Sequence, residues 1–317
     1  MSRLIRITGT VLALACIGYL VLLQAPQMPP LDWTSPGLWA GLSVALFAYV
    51  LSQFAAAEAW RAILSLCGVQ IAAGLARGQP MVSGIGKYIP GNVAHLVGRL
   101  ALGKLDGVPA TTLGAAMVLE VGITLGVGIA VVGGLLVLRP DIMLSITAEF
   151  PQLATGLWPG VLAALLAIGI GAGTVALTSR LRRLGITRPS VWQLSKPLAL
   201  HLVNFTILGI SLWAMALAVA PASAPGLLTC AMVFAIAWVA GFLMPGAPGG
   251  IGVRDSILVL GLAASVGDGT GLTIALLHRG VSVLGDVVVF GFGVMMRRGH
   301  AQTDPRNGPK RASFATD

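Results

Sequence analysis

Residues 244–255 read Met-Pro-Gly-Ala-Pro-Gly-Gly-Ile-Gly-Val-Arg-Asp, and residues 87–91 read Lys-Tyr-Ile-Pro-Gly. Each stretch contains a Pro-Gly pair that is followed by seven residues and an arginine, Arg99 in one case and Arg254 in the other. Proline removes a backbone donor and glycine adds conformational freedom, so each pair is predicted to interrupt a helix. The two motifs are 155 residues apart in a chain of 317.

The sequence around both motifs is apolar, as is most of the chain. Hydrophobic residues make up 56% of it and charged residues 10%, against about 25% charged in a soluble domain, and the mean hydropathy is +0.90. Because a helix of about 20 apolar residues crosses a bilayer, the apolar runs predict six full crossings, at residues 8–24, 37–58, 111–138, 157–178, 197–219 and 272–296. Residues 78–104 and 226–266, which contain the Pro-Gly breaks, are predicted to form two re-entrant hairpins. The composition therefore indicates an all-α integral membrane protein and excludes a soluble enzyme.

The spacing of the two motifs also relates the predicted crossings. A shift of 155 residues carries the first three crossings onto three later ones, because 8–24, 37–58 and 111–138 become 163–179, 192–213 and 266–293. Residues 1–298 are thus predicted to be a single membrane domain of two repeats, about 5–155 and 156–298. Since each repeat has an odd number of crossings, the repeats must be inverted relative to each other, as in many transporters. A simple kinked helix bundle is the alternative.

Lysine and arginine predict the orientation of the chain. With the N-terminus in the cytoplasm, 15 basic residues fall on cytoplasmic loops and tails, and only Arg139 falls on the opposite side. This asymmetry predicts a multi-pass protein of the inner (plasma) membrane with both termini in the cytoplasm. The first apolar run lacks a small-residue cleavage site, so it is interpreted as an uncleaved helix. Residues 299–317 are polar and basic, which predicts a disordered cytoplasmic tail.

Ionisable side chains inside the predicted membrane segments are few, and each is costly there, at roughly 2.5 to 3.5 kcal/mol on insertion scales. Four polar side chains lie around the breaks, where new half-helices begin with unsatisfied N–H groups: Lys87, Tyr88, Arg99 and Arg254. Guanidinium groups beside helix N-termini suit a phosphate or a carboxylate, so these residues are predicted to form an anion site. The alternative is that each arginine pairs with a neighbouring acid, such as Arg254 with Glu120, only to make its burial tolerable.

Three further residues, Glu120, Arg279 and Asp286, are predicted to form an intramembrane polar network. Arg279 and Asp286 are seven residues apart and therefore share a helix face, and Glu120 lies at nearly the equivalent depth in its own crossing. The network is interpreted either as structural ion pairing or as a proton relay.

Motifs for other chemistry are absent from the sequence. It contains no H-E-x-x-H, no G-x-S-x-G and no nucleotide-binding glycine motif. Its three cysteines and four histidines are scattered, without the spacing of metal ligands. We therefore predict no metal, no cofactor, no catalytic residue and no nucleic-acid partner.

The two Pro-Gly segments resemble a known family. Lys87-Tyr-Ile-Pro-Gly with Arg99, and Met244-Pro-Gly-Ala-Pro-Gly-Gly-Ile-Gly-Val-Arg254-Asp255, are similar to motifs of the flippase-like family named for the transmembrane region of lysylphosphatidylglycerol synthase. The likeness covers about residues 5–298. In the bifunctional members this region moves aminoacylated phosphatidylglycerol between leaflets, and a separate C-terminal domain makes that lipid. The resemblance implies that this chain keeps the translocating part and lacks the aminoacyltransferase.

The resemblance also implies which residues act. It adds Asp255 to the lipid site of Lys87, Tyr88, Arg99 and Arg254, although the family usually has a glutamate at that position. The predicted hairpin tips comprise the residues Pro90, Gly91, Pro245, Gly246, Gly249, Gly250 and Gly252.

These observations predict that the chain translocates an anionic phospholipid or a lipid-linked precursor between membrane leaflets and is not an enzyme. Two alternatives stay open, a membrane-embedded transferase that acts on a lipid phosphate and a secondary transporter of a small anion. The expected partner is a membrane lipid with an anionic head group, and a lipid-biosynthetic enzyme is a second candidate partner. The sequence predicts no oligomeric state.

Overall fold

The computed structural model describes residues 28–89, 93–138, 191–243 and 252–303, together with Pro26. Over these residues the chain is helical and contains no strand, which confirms the predicted all-α class. The α-helices of this part are α1 (Pro36–Leu66), α2 (Ala73–Ser83), α3 (Ala94–Leu105), α4 (Ala110–Leu138), α5 (Val191–Val219), α6 (Leu227–Leu243), α7 (Val253–Val266) and α8 (Asp268–Thr303). A 3-10 helix, Gly84–Tyr88, follows α2 directly.

Four of these helices, α1, α4, α5 and α8, are long and apolar enough to cross a membrane. They correspond to the predicted crossings at 37–58, 111–138, 197–219 and 272–296, so membrane-crossing helices are confirmed at these positions. The other two predicted crossings, 8–24 and 157–178, lie outside the described residues. Helix α8 continues to Thr303, past the predicted start of the tail at residue 299.

The other four helices are shorter. Helices α2, α3, α6 and α7 contain 11, 12, 17 and 14 residues, fewer than the roughly 20 that a bilayer crossing needs. They come in two pairs, α2 with α3 and α6 with α7, and each pair flanks one Pro-Gly motif. Residues 90–92 and 244–251, which join the members of each pair, lie outside the described residues.

The helices of the second half repeat the order and the spacing of the first half. Helix α5 begins 155 residues after α1, at Val191 against Pro36, and α6 begins 154 residues after α2. The next two helices begin 159 and 158 residues after their counterparts, α7 after α3 and α8 after α4. The regular spacing extends the relation between the two motifs to eight helix starts.

Helices α1 and α5 pack side by side in antiparallel directions. Gly41 of α1 lies against Ala218, and Ala45 accepts a hydrogen bond of 2.8 Å from the Ser211 hydroxyl through its carbonyl oxygen. Glu58 is paired with Lys196 at 2.9 Å. Residue numbers therefore rise along α1 while they fall along α5. Small residues at the contact let the two backbones approach closely, as in many membrane helix pairs.

A substitution at Gly41 tests this packing. A methyl group at Gly41 would lie 2.3 Å from the Ala218 Cβ, a distance that forces the two helices apart. We expect Gly41→Ala to destabilise the protein by about 1–3 kcal/mol, the usual cost of overpacking. Thermal unfolding in detergent measures the effect, and Gly37→Ala on the same helix is the control because its nearest contact is 3.6 Å away. Equal stability of the two variants would contradict the close approach.

The two helix pairs attach to opposite ends of the bundle. Helix α2 follows the C-terminal end of α1, and α6 follows the C-terminal end of α5. Because α1 and α5 are antiparallel, these ends lie at opposite sides of the bundle. We call the side where α1 ends the basic end, since it carries Arg61, Arg77, Lys104, Lys196 and Arg297.

Ion pairs fix the basic end. Glu58 accepts hydrogen bonds from Arg61, Arg77 and Lys196, which belong to three different helices. Asp106, directly after α3, accepts two hydrogen bonds from Arg297 of α8, at 2.7 and 2.8 Å. Exposed tryptophans mark both ends, Trp33 and Trp39 at the start of α1 and Trp192 at the basic end. Tryptophan favours the two membrane–water interfaces.

Candidate functional site

A cavity of about 260 Å³ lies inside the helix bundle. All eight helices contribute to its wall, including both members of each short pair. Its charged side chains are Lys87, Arg99, Glu120, Arg254 and Asp286, three cations and two carboxylates. Two predicted site residues from distant parts of the sequence, Arg99 and Arg254, thus line the same space. The charge balance of this lining is positive by one.

Arg254 provides the positive excess. Its guanidinium lies 4.8 Å from the centre of the Phe234 ring, and its Nε has no hydrogen-bond partner. No carboxylate of the described residues forms an ion pair with it, whereas the other two cations of the cavity are paired. A buried guanidinium without a paired acid is costly unless an anion reaches it. Arg254 is therefore the best-placed group of the cavity to bind an anion.

Asp255, the chain neighbour of Arg254, faces a different set of groups. Its carboxylate accepts a hydrogen bond of 3.3 Å from the Gly252 N–H, which caps the N-terminus of α7. The same carboxylate lies 3.7 Å from the Arg279 guanidinium of α8. Asp255 does not line the cavity, and these contacts give it a positioning role: it holds the helix that carries Arg254 against α8.

Arg99 is paired with Glu120, in contrast to Arg254. Its Nη1 donates a short hydrogen bond to the Glu120 carboxylate of α4, and its guanidinium lies 4.8 Å from the centre of the Trp60 ring. Both side chains are largely buried, at 10% and 14% exposure. The alternative in which Arg254 pairs with Glu120 is therefore wrong in its choice of arginine. Pairing for burial applies to Arg99.

Asp286 joins three elements near the first Pro-Gly motif. Its carboxylate lies 2.7 Å from Lys87 Nζ and accepts hydrogen bonds from the hydroxyls of Tyr88 and Tyr49. Lys87 and Tyr88 belong to the 3-10 helix, and Tyr49 belongs to α1. Asp286 therefore fixes the end of the first hairpin arm against α8 and α1.

The three residues of the predicted polar network each find their ion-pair partner on a short helix or on the 3-10 helix. Glu120 pairs with Arg99, Arg279 with Asp255, and Asp286 with Lys87. These contacts connect the crossings α4 and α8 to the short helices. The arrangement favours the structural interpretation of the network over a proton relay, because each charge is held by its own partner.

Of the predicted hairpin tips, the structure describes one residue. Gly252 has a φ of 89°, a conformation that a side chain disfavours, and it immediately precedes α7. The remaining tip residues, Pro90, Gly91, Pro245, Gly246, Gly249 and Gly250, lie outside the described residues.

Sequence reasoning missed several polar residues of the cavity. Tyr49, Thr124 and Asn204 line it, and His201 is bonded to Thr124 at 3.3 Å. One signal for Tyr49 was present, since the chain has only three tyrosines and this one lies in the middle of an apolar helix. Asn204 is also an isolated amide within the apolar α5.

The chemistry of the cavity suits binding rather than bond breaking. Across the described part of the chain, no group of three or more His, Cys, Asp or Glu residues is placed to hold a metal ion. The carboxylates that line the cavity are paired with cations. What the wall offers is a guanidinium with spare donors, aromatic rings and neutral polar groups.

Comparisons with known proteins give no further assignment. No family model matches the chain, and no curated protein matches it in sequence. The resemblance of the two Pro-Gly segments therefore stays an expectation, and the geometry of the cavity provides the main argument about function.

Proposed function

We propose that this protein moves a lipid with an anionic head group between the two leaflets of a membrane. The observation that carries the proposal is Arg254, a cation without an acidic partner among the described residues, on the wall of a polar cavity inside an apolar helix bundle. A phosphate in the cavity would supply the missing negative charge and would accept hydrogen bonds from the guanidinium. The resemblance of both Pro-Gly segments to a flippase-like family supports the same function.

The two short helix pairs act in this proposal as re-entrant hairpins of an inverted repeat. Their attachment to opposite ends of the bundle supports this, as does the near-constant spacing of the helix starts. Each hairpin would enter from its own side, and Arg99 and Arg254 on the returning arms would face the same cavity. A central site between inverted halves is accessible in turn from either side, as transport between leaflets requires.

Access for a lipid is supported by the surface beside the first hairpin. Ile85 lines the cavity and is also 40% exposed, and Ile89, Val93 and Val97 continue an exposed apolar surface along the same arm. A head group could enter past Ile85 while its acyl chains stay against this apolar surface. A transporter of small soluble anions has no need for an apolar surface next to its site.

The basic end faces the cytoplasm in this proposal. The cations of this end, described above, follow the charge asymmetry that sets the orientation of membrane proteins. Their partial neutralisation by Glu58 and Asp106 leaves a positive surface that attracts anionic lipids. The membrane concerned is the inner (plasma) membrane.

The ion pairs suggest how the head group is received. Arg254 binds the phosphate directly, because no other charge in the described structure competes for it. Arg99 is held by Glu120 and contributes only when the phosphate displaces that carboxylate. Asp286 and Asp255 hold the arms in place through Lys87 and Arg279.

Leaflet exchange in proteoliposomes tests the proposal. Vesicles with the reconstituted protein carry a fluorescent phosphatidylglycerol, and a membrane-impermeant reductant destroys only the label of the outer leaflet. We expect the protein to make nearly all of the label accessible, while a cationic lipid with the same label and the same acyl chains stays in its leaflet. Exchange no faster than in protein-free vesicles would reject the function for this lipid.

Two further arms separate the alternative functions. Flux of free glycerol phosphate through the same vesicles would favour the transporter of small anions. A new lipid product after incubation with a lipid extract would favour the transferase. Neither is expected.

A further inference from the structure

One wall of the cavity carries neutral polar side chains that the proposed phosphate contact does not use. His201 and Asn204 are three residues apart on α5 and therefore share a helix face. Thr124 of α4 is bonded to His201, and His95 of α3 lines the same cavity. His201 and Asn204 are 3% and 6% exposed, so this wall is enclosed by protein.

Two of these side chains contain polar atoms without partners. Asn204 Oδ1 and His95 Nδ1 are buried and form no hydrogen bond with the described residues. A buried polar atom left without a partner costs about 1–3 kcal/mol, and such atoms are rare in native structures. Since both belong to the lining of one cavity, an occupant of that cavity is the natural source of their hydrogen bonds.

The bonding of His201 indicates which partners suit this wall. The Thr124 hydroxyl donates its hydrogen to the Glu120 carbonyl oxygen at 2.7 Å, so it can only accept from the His201 ring. One ring nitrogen of His201 is therefore the donor, and the other is an acceptor in the neutral imidazole. The amide of Asn204 offers both a donor and an acceptor. Groups that both donate and accept, such as hydroxyls, match this combination.

We propose that Asn204, His201 and His95 form a second, uncharged subsite that binds hydroxyl groups which the lipid head group carries beyond its phosphate. This inference rests on the proposed function, because the ligand is the head group that Arg254 binds. An ammonium group fits the wall less well, since Glu120 and Asp286, the carboxylates that line the cavity, are already held by Arg99 and Lys87. Asn204 is a specificity-determining residue in this arrangement.

Two lipids with the same charge test the subsite. Phosphatidylglycerol and phosphatidylpropanol share a phosphodiester and a three-carbon head group, but only phosphatidylglycerol carries free hydroxyls. Sites that bind a substrate hydroxyl reject an analogue without it by up to about 10⁴–10⁵-fold. We expect at least ~10-fold faster exchange of phosphatidylglycerol by the wild type, because only this lipid satisfies the buried polar atoms.

Variants identify the residue responsible. Asn204→Leu should slow phosphatidylglycerol to the rate of phosphatidylpropanol and leave phosphatidylpropanol unchanged. Thr206→Val is the matched control on α5, because Thr206 is exposed and bonds only its own helix, at Leu202 O. If Asn204→Leu does not fold, Asn204→Ser replaces it.

The outcomes separate the subsite from the proposed function. Equal wild-type rates for the two lipids, or an Asn204→Leu variant that slows both equally, would overturn the subsite while exchange that depends on Arg254 still supports lipid translocation. No exchange of either lipid would reject the proposed function. Thermal stabilisation of the detergent-solubilised protein by glycerol phosphate against propyl phosphate then decides about the subsite. A preference of at least ~10-fold in concentration that is lost in Asn204→Leu supports it, and no preference overturns it.

Discussion

Arg254→Ala is expected to reduce leaflet exchange of phosphatidylglycerol by roughly 30-fold or more. Removing one partner of a buried, hydrogen-bonded charge pair costs about 2–5 kcal/mol, and every 1.4 kcal/mol is a factor of ten in affinity. The guanidinium has no acidic partner among the described residues, so its loss leaves no carboxylate unpaired and the fold should persist. Exchange rates at equal reconstitution measure the effect, and thermal unfolding checks the fold.

Two further variants give this result its meaning. Lys196→Ala removes one positive charge at the basic end, where Lys196 is 53% exposed and does not line the cavity, and it should leave exchange unchanged. Arg254→Lys keeps the charge but loses the planar, forked geometry, so it should recover only part of the rate. If Lys196→Ala were as slow as Arg254→Ala, general electrostatic attraction would explain the effect and the site would lie elsewhere.

Much of the fold could be predicted from the sequence because its main signals are local. Apolar length predicted the crossings that became α1, α4, α5 and α8, since hydrocarbon leaves few other choices for the backbone. The Pro-Gly pairs also separate the two short helix pairs, and the 155-residue shift corresponds to the spacing of α1 and α5. The inverted arrangement itself depends on packing around a membrane, and it stays a prediction.

The site could be predicted only in part. The cost of charge in hydrocarbon was enough to select Arg99, Arg254 and Asp286, which all line the cavity. Their partners depend on tertiary packing, so Glu120 was considered for the wrong arginine. Neutral residues such as Asn204 cost less to bury than charges do, and therefore gave a weaker signal.

Asp286→Asn is expected to destabilise the protein by about 2–3 kcal/mol. Removing one member of a buried ion pair costs about 3–5 kcal/mol, and the effect is smaller here because Lys87 is 27% exposed and partly solvated. An asparagine still accepts a hydrogen bond from Tyr49 or Tyr88, so the loss is mainly that of the charge opposite Lys87. Thermal unfolding in detergent measures it, with Asp32→Asn as the control because Asp32 is exposed in the turn before α1.

The double variant Lys87→Met/Asp286→Leu separates the charge from the packing. It removes both charges and leaves no unpaired ion, so it should be more stable than Asp286→Asn alone, since apolar replacements of a buried ion pair are often neutral. That recovery would mean that Asp286 serves mainly to neutralise Lys87 at the end of the first hairpin arm. A double variant as unstable as Asp286→Asn would show instead that the hydrogen bonds from Tyr49 and Tyr88 hold the 3-10 helix against α8, because the double variant removes their acceptor as well.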